Sequence, residues 1–357
     1  MALDLRLSSL DITRAICDVY SVSGSERHLA DLIEDALGAY PHLRVLRHGN
    51  TIVARTELGR SQRVVIAGHI DTVPVNANLP TRDIEIDGTP YLWGRGTVDM
   101  KAGVAVQLKL AAELTDPPID ITWMWYDNEE VDASLNGLAL LAAQHPELFV
   151  ADFAILGEPT DGQIEGGCNG TLRASVRTSG VRAHSARSWV GENAIHRAAP
   201  ILMRLAEYRA REVAVEGLVY REGLNAVGIS GGIAGNVIPD SCVVEVNYRF
   251  APDKTAAEAA EYVRKVFAGF TVDITDAADG ARPGLDAPIA QQFLAAVGAT
   301  AHPKYGWTDV ARFSALGIPA VNYGPGDPHL AHHDEERVPV AQILAVEEGL
   351  RAWLSAR

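Results

Sequence analysis

The sequence predicts an α/β protein in which a mostly parallel, helix-covered sheet is interrupted by an α+β unit of ferredoxin-like order. Three observations predict it. Short apolar runs alternate with helical patterns through the first half of the chain, apolar-polar alternation replaces them after residue 172, and the first pattern returns from about residue 284.

In order, the apolar run Val64 to Ala67 precedes a helix-like stretch, Ala102 to Leu114, and the runs Ile121 to Tyr126 and Phe153 to Leu156 follow. Apolar runs separated by helical segments read as parallel strands buried on both faces. Beyond residue 172, Leu172 to Arg177 and Val244 to Arg249 alternate apolar and polar side chains, which marks strands with one wet face. Strands near Ala226 to Ser230 and Phe270 to Ile274, with helices over Asn193 to Ala210 and Ala256 to Phe267, complete the order strand, helix, strand, strand, helix, strand. That is the order of a split βαβ sandwich. A helix near Ala287 to Val297 and an apolar run at Ile318 to Tyr323 resume the first pattern. The expected division is 1–173 and 285–357 as one discontinuous domain, with 174–284 inserted in it.

The 357 residues suffice for two cores. With 31 Lys and Arg against 46 Asp and Glu, the net charge of -15 repels a phosphate backbone and argues against nucleic acid as a partner. The amphipathic, acidic start lacks the pattern of a signal peptide, and no run approaches the ~18 apolar residues of a membrane span. A soluble, cytoplasmic protein with no membrane partner is expected. Cys17, Cys168 and Cys242 show no CxxC spacing, so any metal must be held by His and carboxylates.

Those groups are placed suggestively. His69 and Asp71 end the run VVIAGHID, two residues apart, so that the Asp carboxylate can orient the imidazole. Asp99 follows the Gly94-Arg95-Gly96 turn and opens a helix; Glu129 and Glu130 follow ITWMWY; Glu158 follows FAIL; His332 follows VNYGPGDPHLA. In open α/β sheets such strand ends form the ligand-binding rim. Two divalent ions need N and O donors, and one carboxylate can bridge them. Asp99 is the natural bridge, with His69, Glu130, Glu158 and His332 as the other ligands. Glu129 is then the group that takes a proton from water and hands it to a leaving amine.

Taken singly, each residue has a plainer reading. Asp99 could cap a helix, Glu129 and Glu130 could lie in a solvated loop, His69 could be a satisfied polar group at a strand end, and Glu158 could sit in a turn. The conjunction favours the metal reading. No GxSxG nucleophile elbow is present, and Gly94-Arg95-Gly96 lacks the third glycine of a dinucleotide fingerprint.

The segments GHIDTVP (68–74), GRGTVDMKAG (94–103), DNEEVD (127–132), GEPT (157–160) and AHHDEERV (331–338) resemble the dinuclear zinc deacylases and exopeptidases. That family includes acetylornithine deacetylases, glutamate carboxypeptidases and succinyl-diaminopimelate desuccinylases. The resemblance implies a zinc-exopeptidase-like catalytic domain with an inserted dimerisation domain. It also implies two zinc ions, with Co2+ or Mn2+ as substitutes: His69, Asp99 and Glu158 on one, Asp99, Glu130 and His332 on the other, and Glu129 as base. Two departures stand out. Asn128 occupies a position that is Asp in many relatives, and His333 beside His332 leaves a one-residue ambiguity, although the AH pairing and the spacing to Val338 favour His332.

A further set, GCNGTLRASV, GVRAHSARSWVGENAIHRAAP, YREGLNAV, GGIAGNVIPD, YGWTDVARFSALGIPAVNYGPGDP and AHHDEERVPV, is similar to the actinobacterial desuccinylases within that family. The implied reaction is hydrolysis of N-succinyl-LL-2,6-diaminopimelate, an N-acyl amino acid, to succinate and LL-2,6-diaminopimelate. The resemblance further implies a homodimer in which His184 reaches the neighbouring subunit's site to stabilise an oxyanion; a locally hydrogen-bonded loop histidine is the plainer reading. A substrate with several carboxylates calls for arginine. Arg249 is the foremost candidate, followed by Arg173, Asn236 and Thr308. Rival readings are another deacylase or exopeptidase of the family, with the same metal motifs, and a binding protein on the same scaffold that has lost its chemistry.

Overall fold

The structure, a computed structural model, describes residues 2–356. The described residues form two compact units, one of residues 2–166, 284–302 and 312–356, the other of 167–283 and 303–311. The break falls before the strand Gly170–Ser179 rather than within it, because that whole strand pairs inside the second unit. Residues 303–311 also belong there. Lys304 O accepts from Asn169 N at 3.1 Å, and Trp307 Nε1 donates to Asp279 O at 3.0 Å.

The first unit is built on a mixed eight-stranded sheet. Its parallel centre runs Asp120–Tyr126, Arg63–His69, Phe153–Leu156, Ala320–Asn322. Every residue of Asp120–Tyr126 is buried, as expected of a central strand covered on both faces. The helix Lys101–Glu113 packs on this sheet and is buried nearly all round. Among the described residues no helix is long and apolar enough to cross a membrane.

The second unit carries a four-stranded antiparallel sheet in the order Gly223–Gly231, Ser241–Phe250, Gly170–Ser179, Thr271–Ala278. Connected through helices, this is the ferredoxin-like order. Leu172, Val176, Val244, Val246 and Tyr248 on one sheet face pack with Ile201, Ala259 and Val263 of the helices. The helix Ala256–Val266 is closed by a capping box between Thr255 and Glu258. The single helix expected over Asn193 to Ala210 is instead two, Ala194–Arg197 and Ala199–Ala206. Pro200, which has no N–H to donate, stands in the first turn of the second. A hairpin, Glu212–Val215 with Leu218–Arg221, follows them.

Candidate metal centre

Because the central strands run parallel, their carboxyl ends share one edge, with His69 opposite Tyr126 and Ala67 opposite Leu156. His69 ends its strand there, and the chain leaving the neighbouring strands carries Glu129, Glu130 and Glu158. Asp99 and His332 arrive by another route. A three-stranded sheet pairs Thr89–Trp93 with Arg82–Ile86 on one side and with Arg337–Pro339 on the other, Trp93 opposite Arg337. That register lays His332–Glu336 beside Gly94–Asp99. The Gly94 N–H donates to Glu336 O at 3.0 Å.

The Asp99 carboxylate lies between two imidazoles. Its Oδ1 is 3.1 Å from His69 Nε2 and its Oδ2 is 3.2 Å from His332 Nε2. The His332 Nε2 is also 2.9 Å from Glu130 Oε1. His333 turns elsewhere, its Nδ1 accepting from Glu335 N at 3.1 Å. His332 has φ 64°, a left-handed backbone that costs a non-glycine residue about 1–2 kcal/mol and aims this ring at the carboxylates. Asp99 does not cap the following helix, whose N-cap is Met100 without a side-chain bond.

Titration follows this geometry. Burial disfavours charge on His69, but hydrogen bonds to Asp71 and Asp99 and the nearby Glu158 outweigh it and hold its pKa well above the usual imidazole value. Hydrogen bonds to Asp99 and Glu130 raise His332 to about 10 against the opposing effect of burial. For Asp99, burial is overcome by His332 and His69, and the carboxyl lies below the usual carboxylate range.

Ligand atoms of His69, Asp99 and Glu158 lie within 4.8 Å of one another, as do those of Asp99, Glu130 and His332, and those of His69, Glu129 and Glu130. Asp99 is common to the first two groups. Several carboxylates at such range in a part-buried site repel unless a cation is shared. The donors are the imidazole nitrogens and carboxylate oxygens that zinc, cobalt or manganese accept. The set fits two divalent ions.

Further residues support the ligands. The Asp71 carboxylate was expected to orient His69, but His69 Nδ1 lies closer to the Asp71 backbone carbonyl, 3.0 Å, than to carboxylate Oδ1, 3.5 Å. That carboxylate also accepts the N–H groups of Glu129 and Glu130, each at 3.1 Å, and the Ser23 hydroxyl at 2.7 Å. The buried Glu26 accepts from Asn128 N at 3.2 Å. Asn128 has φ 58°, a conformation Asn tolerates better than most side chains. Met100 Sδ receives the His69 N–H at 3.3 Å. The Gly157 carbonyl is held so tightly that a Cβ at Gly103 would stand 2.1 Å from it and one at Gly324 2.3 Å, which fixes the backbone just before Glu158. Glu336 is fully buried, and burial raises its pKa against the backbone N–H groups of Val98 and Asp99 that it accepts. Nothing local in the sequence marks Glu336, because an arginine in a turn, such as Arg95, ordinarily meets solvent rather than a buried carboxylate.

The other predicted residues lie in the second unit. His184 is exposed, and its Nδ1 accepts from Ala186 N at 3.0 Å, which leaves Nε2 to carry the proton in the neutral ring. Asn236 is its neighbour through the pairing of His184 with Val237, and Asn236 O accepts from Ser185 N at 2.8 Å. Arg249 stands on the sheet face opposite the core, diagonal to Arg173 across paired strands. Burial, then the charge of Arg173, lowers its pKa. Thr308 is buried, its carbonyl 3.8 Å from Cys168 Sγ.

The Mycobacterium tuberculosis H37Rv protein to which the name succinyl-diaminopimelate desuccinylase DapE is ascribed is 54% identical over 355 residues, 99% of each chain. The succinyl-diaminopimelate desuccinylase of Corynebacterium glutamicum ATCC 13032 is 48% identical over 364 residues, covering 99% of this chain and 98% of that one. The crystal structure of Bacillus subtilis YxeP, described as a dinuclear metal-binding peptidase of the M20 family, superposes with a TM-score of 0.70 at 15% identity, over 97% of this chain and 96% of that one; at that identity it speaks to the fold. The family model for peptidase family M20/M25/M40 matches residues 65–356. The chain belongs to peptidase family M20/M25/M40.

Proposed function

We propose that the chain hydrolyses N-succinyl-LL-2,6-diaminopimelate to succinate and LL-2,6-diaminopimelate, a step of lysine and diaminopimelate synthesis. The observation that carries this reading is the full-length likeness to proteins of that name, joined to a donor set suited to the chemistry. His69, Asp99 and Glu158 hold one divalent ion, and Asp99, Glu130 and His332 the other; zinc is proposed, with cobalt or manganese as substitutes. Bound there, the two ions supply Lewis acidity to the scissile carbonyl and to the attacking water.

The remaining steps belong to the side chains. Glu129 takes a proton from water as its oxygen attacks the succinyl carbonyl carbon, then gives that proton to the amine nitrogen as the C–N bond breaks. Asp71 fixes the backbone from which Glu129 projects. The Nε2–H of His184, supplied by the second copy of a homodimer, donates to the oxyanion. Arg249 and Arg173, neither of which forms an ion pair among the described residues, bind substrate carboxylates, with Asn236 and Thr308 as further polar contacts. An exposed sheet edge supports the dimer: Gly223–Gly231 is a border strand carrying exposed Val227 and Ile229. We place the enzyme in the cytoplasm, without membrane or nucleic-acid partners.

A side-by-side assay of succinyl-diaminopimelate, acetylornithine and a dipeptide panel tests the substrate. The expected result is a kcat/KM for succinyl-diaminopimelate far above the rest. A preference for acetylornithine or a dipeptide would overturn it.

A further inference from the structure

One buried carboxylate beside the metal ligands belongs to none of the roles above. Glu336 Oε1 accepts the N–H of Val98 at 2.8 Å and that of Asp99 at 3.1 Å. Its Oε2 receives Arg95 Nη1 at 2.8 Å, and Arg95 also donates to the His333 carbonyl at 3.2 Å. Both side chains are almost entirely buried. The loop so clamped contains Gly96, with φ 82°, where a Cβ would stand 2.9 Å from Thr72 Cγ2.

We infer that Glu336 is a positioning residue for the metal centre, holding the backbone of Asp99 in register with the segment that carries His332. The inference rests on the metal-binding reading above. A buried anion that receives two peptide N–H groups and one guanidinium fixes three directions at once. Since Asp99 faces both histidines, a shift of its backbone disturbs both metal positions together. Arg95 closes the loop by tying Glu336 to the peptide next to His332, so neither ligand segment moves without the other.

The test is a zinc titration against a competing chromophoric chelator, on the wild-type protein and on Glu336→Gln and Glu336→Asp, with thermal unfolding alongside. Glu336→Gln replaces one acceptor oxygen by a donor; Glu336→Asp keeps the charge but falls a methylene short of the two N–H groups. Both are expected to bind two zinc ions with affinity reduced about tenfold or more for each, the scale of losing a partner behind a ligand. A lowered melting temperature with unchanged zinc affinity in the folded variants would overturn the inference and leave Glu336 a fold-stabilising residue. If Glu336→Gln does not fold, Glu336→Asp decides by the same criterion. Failure of the wild-type protein to take up two ions would instead count against the metal reading itself.

Discussion

The peptide N–H of Glu129 donates to Asp71 Oδ1 at 3.1 Å, and the next N–H, of Glu130, donates to Asp71 Oδ2 at the same distance. One buried carboxylate thus sets the backbone of both the proposed base and a proposed ligand. Asp71→Asn presents only one acceptor oxygen to these two donors. It is expected to lower kcat about 10- to 100-fold while the protein still binds two metal ions. Steady-state kinetics with elemental analysis checks this, and an unchanged kcat would refute the role.

Glu129→Gln keeps shape and size but cannot accept the proton. Turnover is expected to fall about 10²- to 10⁴-fold, with metal stoichiometry unchanged and KM little affected. Substantial activity in this variant would remove Glu129 from the role of base.

Metal uptake should release protons. In the metal-free protein His332 titrates near 10 and His69 well above the usual imidazole value, so both rings are charged at neutral pH and must lose a proton to bind a cation. Calorimetry at pH 7 in buffers of different ionisation enthalpy should report about two protons released per two ions. The sign for stability runs the other way in the metal-free protein. Because the folded pKa of His332 is raised, the stabilisation it brings is complete below about 6.5 and is lost as pH rises toward about 10. Melting temperatures of metal-free protein should therefore decline across that range from this source, and zinc should offset the decline.

Arg249→Ala should raise KM about 10- to 100-fold, the loss of one charge-assisted contact of about 1.5–3 kcal/mol. Arg249→Lys should recover little, because a point charge does not reproduce the guanidinium fork. Equal KM values for wild type and Arg249→Ala would exclude it from substrate binding.

The parallel sheet was legible because its strands are buried on both faces and read as unbroken apolar runs, as in Ile121 to Tyr126. The ferredoxin-like order was legible for the opposite reason, since Val244 to Arg249 alternates and so declares one wet face. The grouping of His69, Asp99, Glu130, Glu158 and His332 followed from strand ends and from family segments together. What was hidden depends on contacts between residues distant in sequence. Nothing local in Arg337–Pro339 announces that it pairs with Thr89–Trp93, yet that pairing brings His332 to Asp99. The sequence pairs Asp71 with its neighbour His69, but gives no sign that its carboxylate also serves a loop some sixty residues on. Helix pattern over Asn193 to Ala210 concealed a break that Pro200 could have signalled.

The measurement that tests the account most directly is succinate release from N-succinyl-LL-2,6-diaminopimelate by metal-stripped protein as zinc is added back. Release is expected to be negligible without metal and to recover fully at two zinc ions per chain. Full activity in the metal-free protein, or no succinate from the zinc-loaded protein, would contradict it.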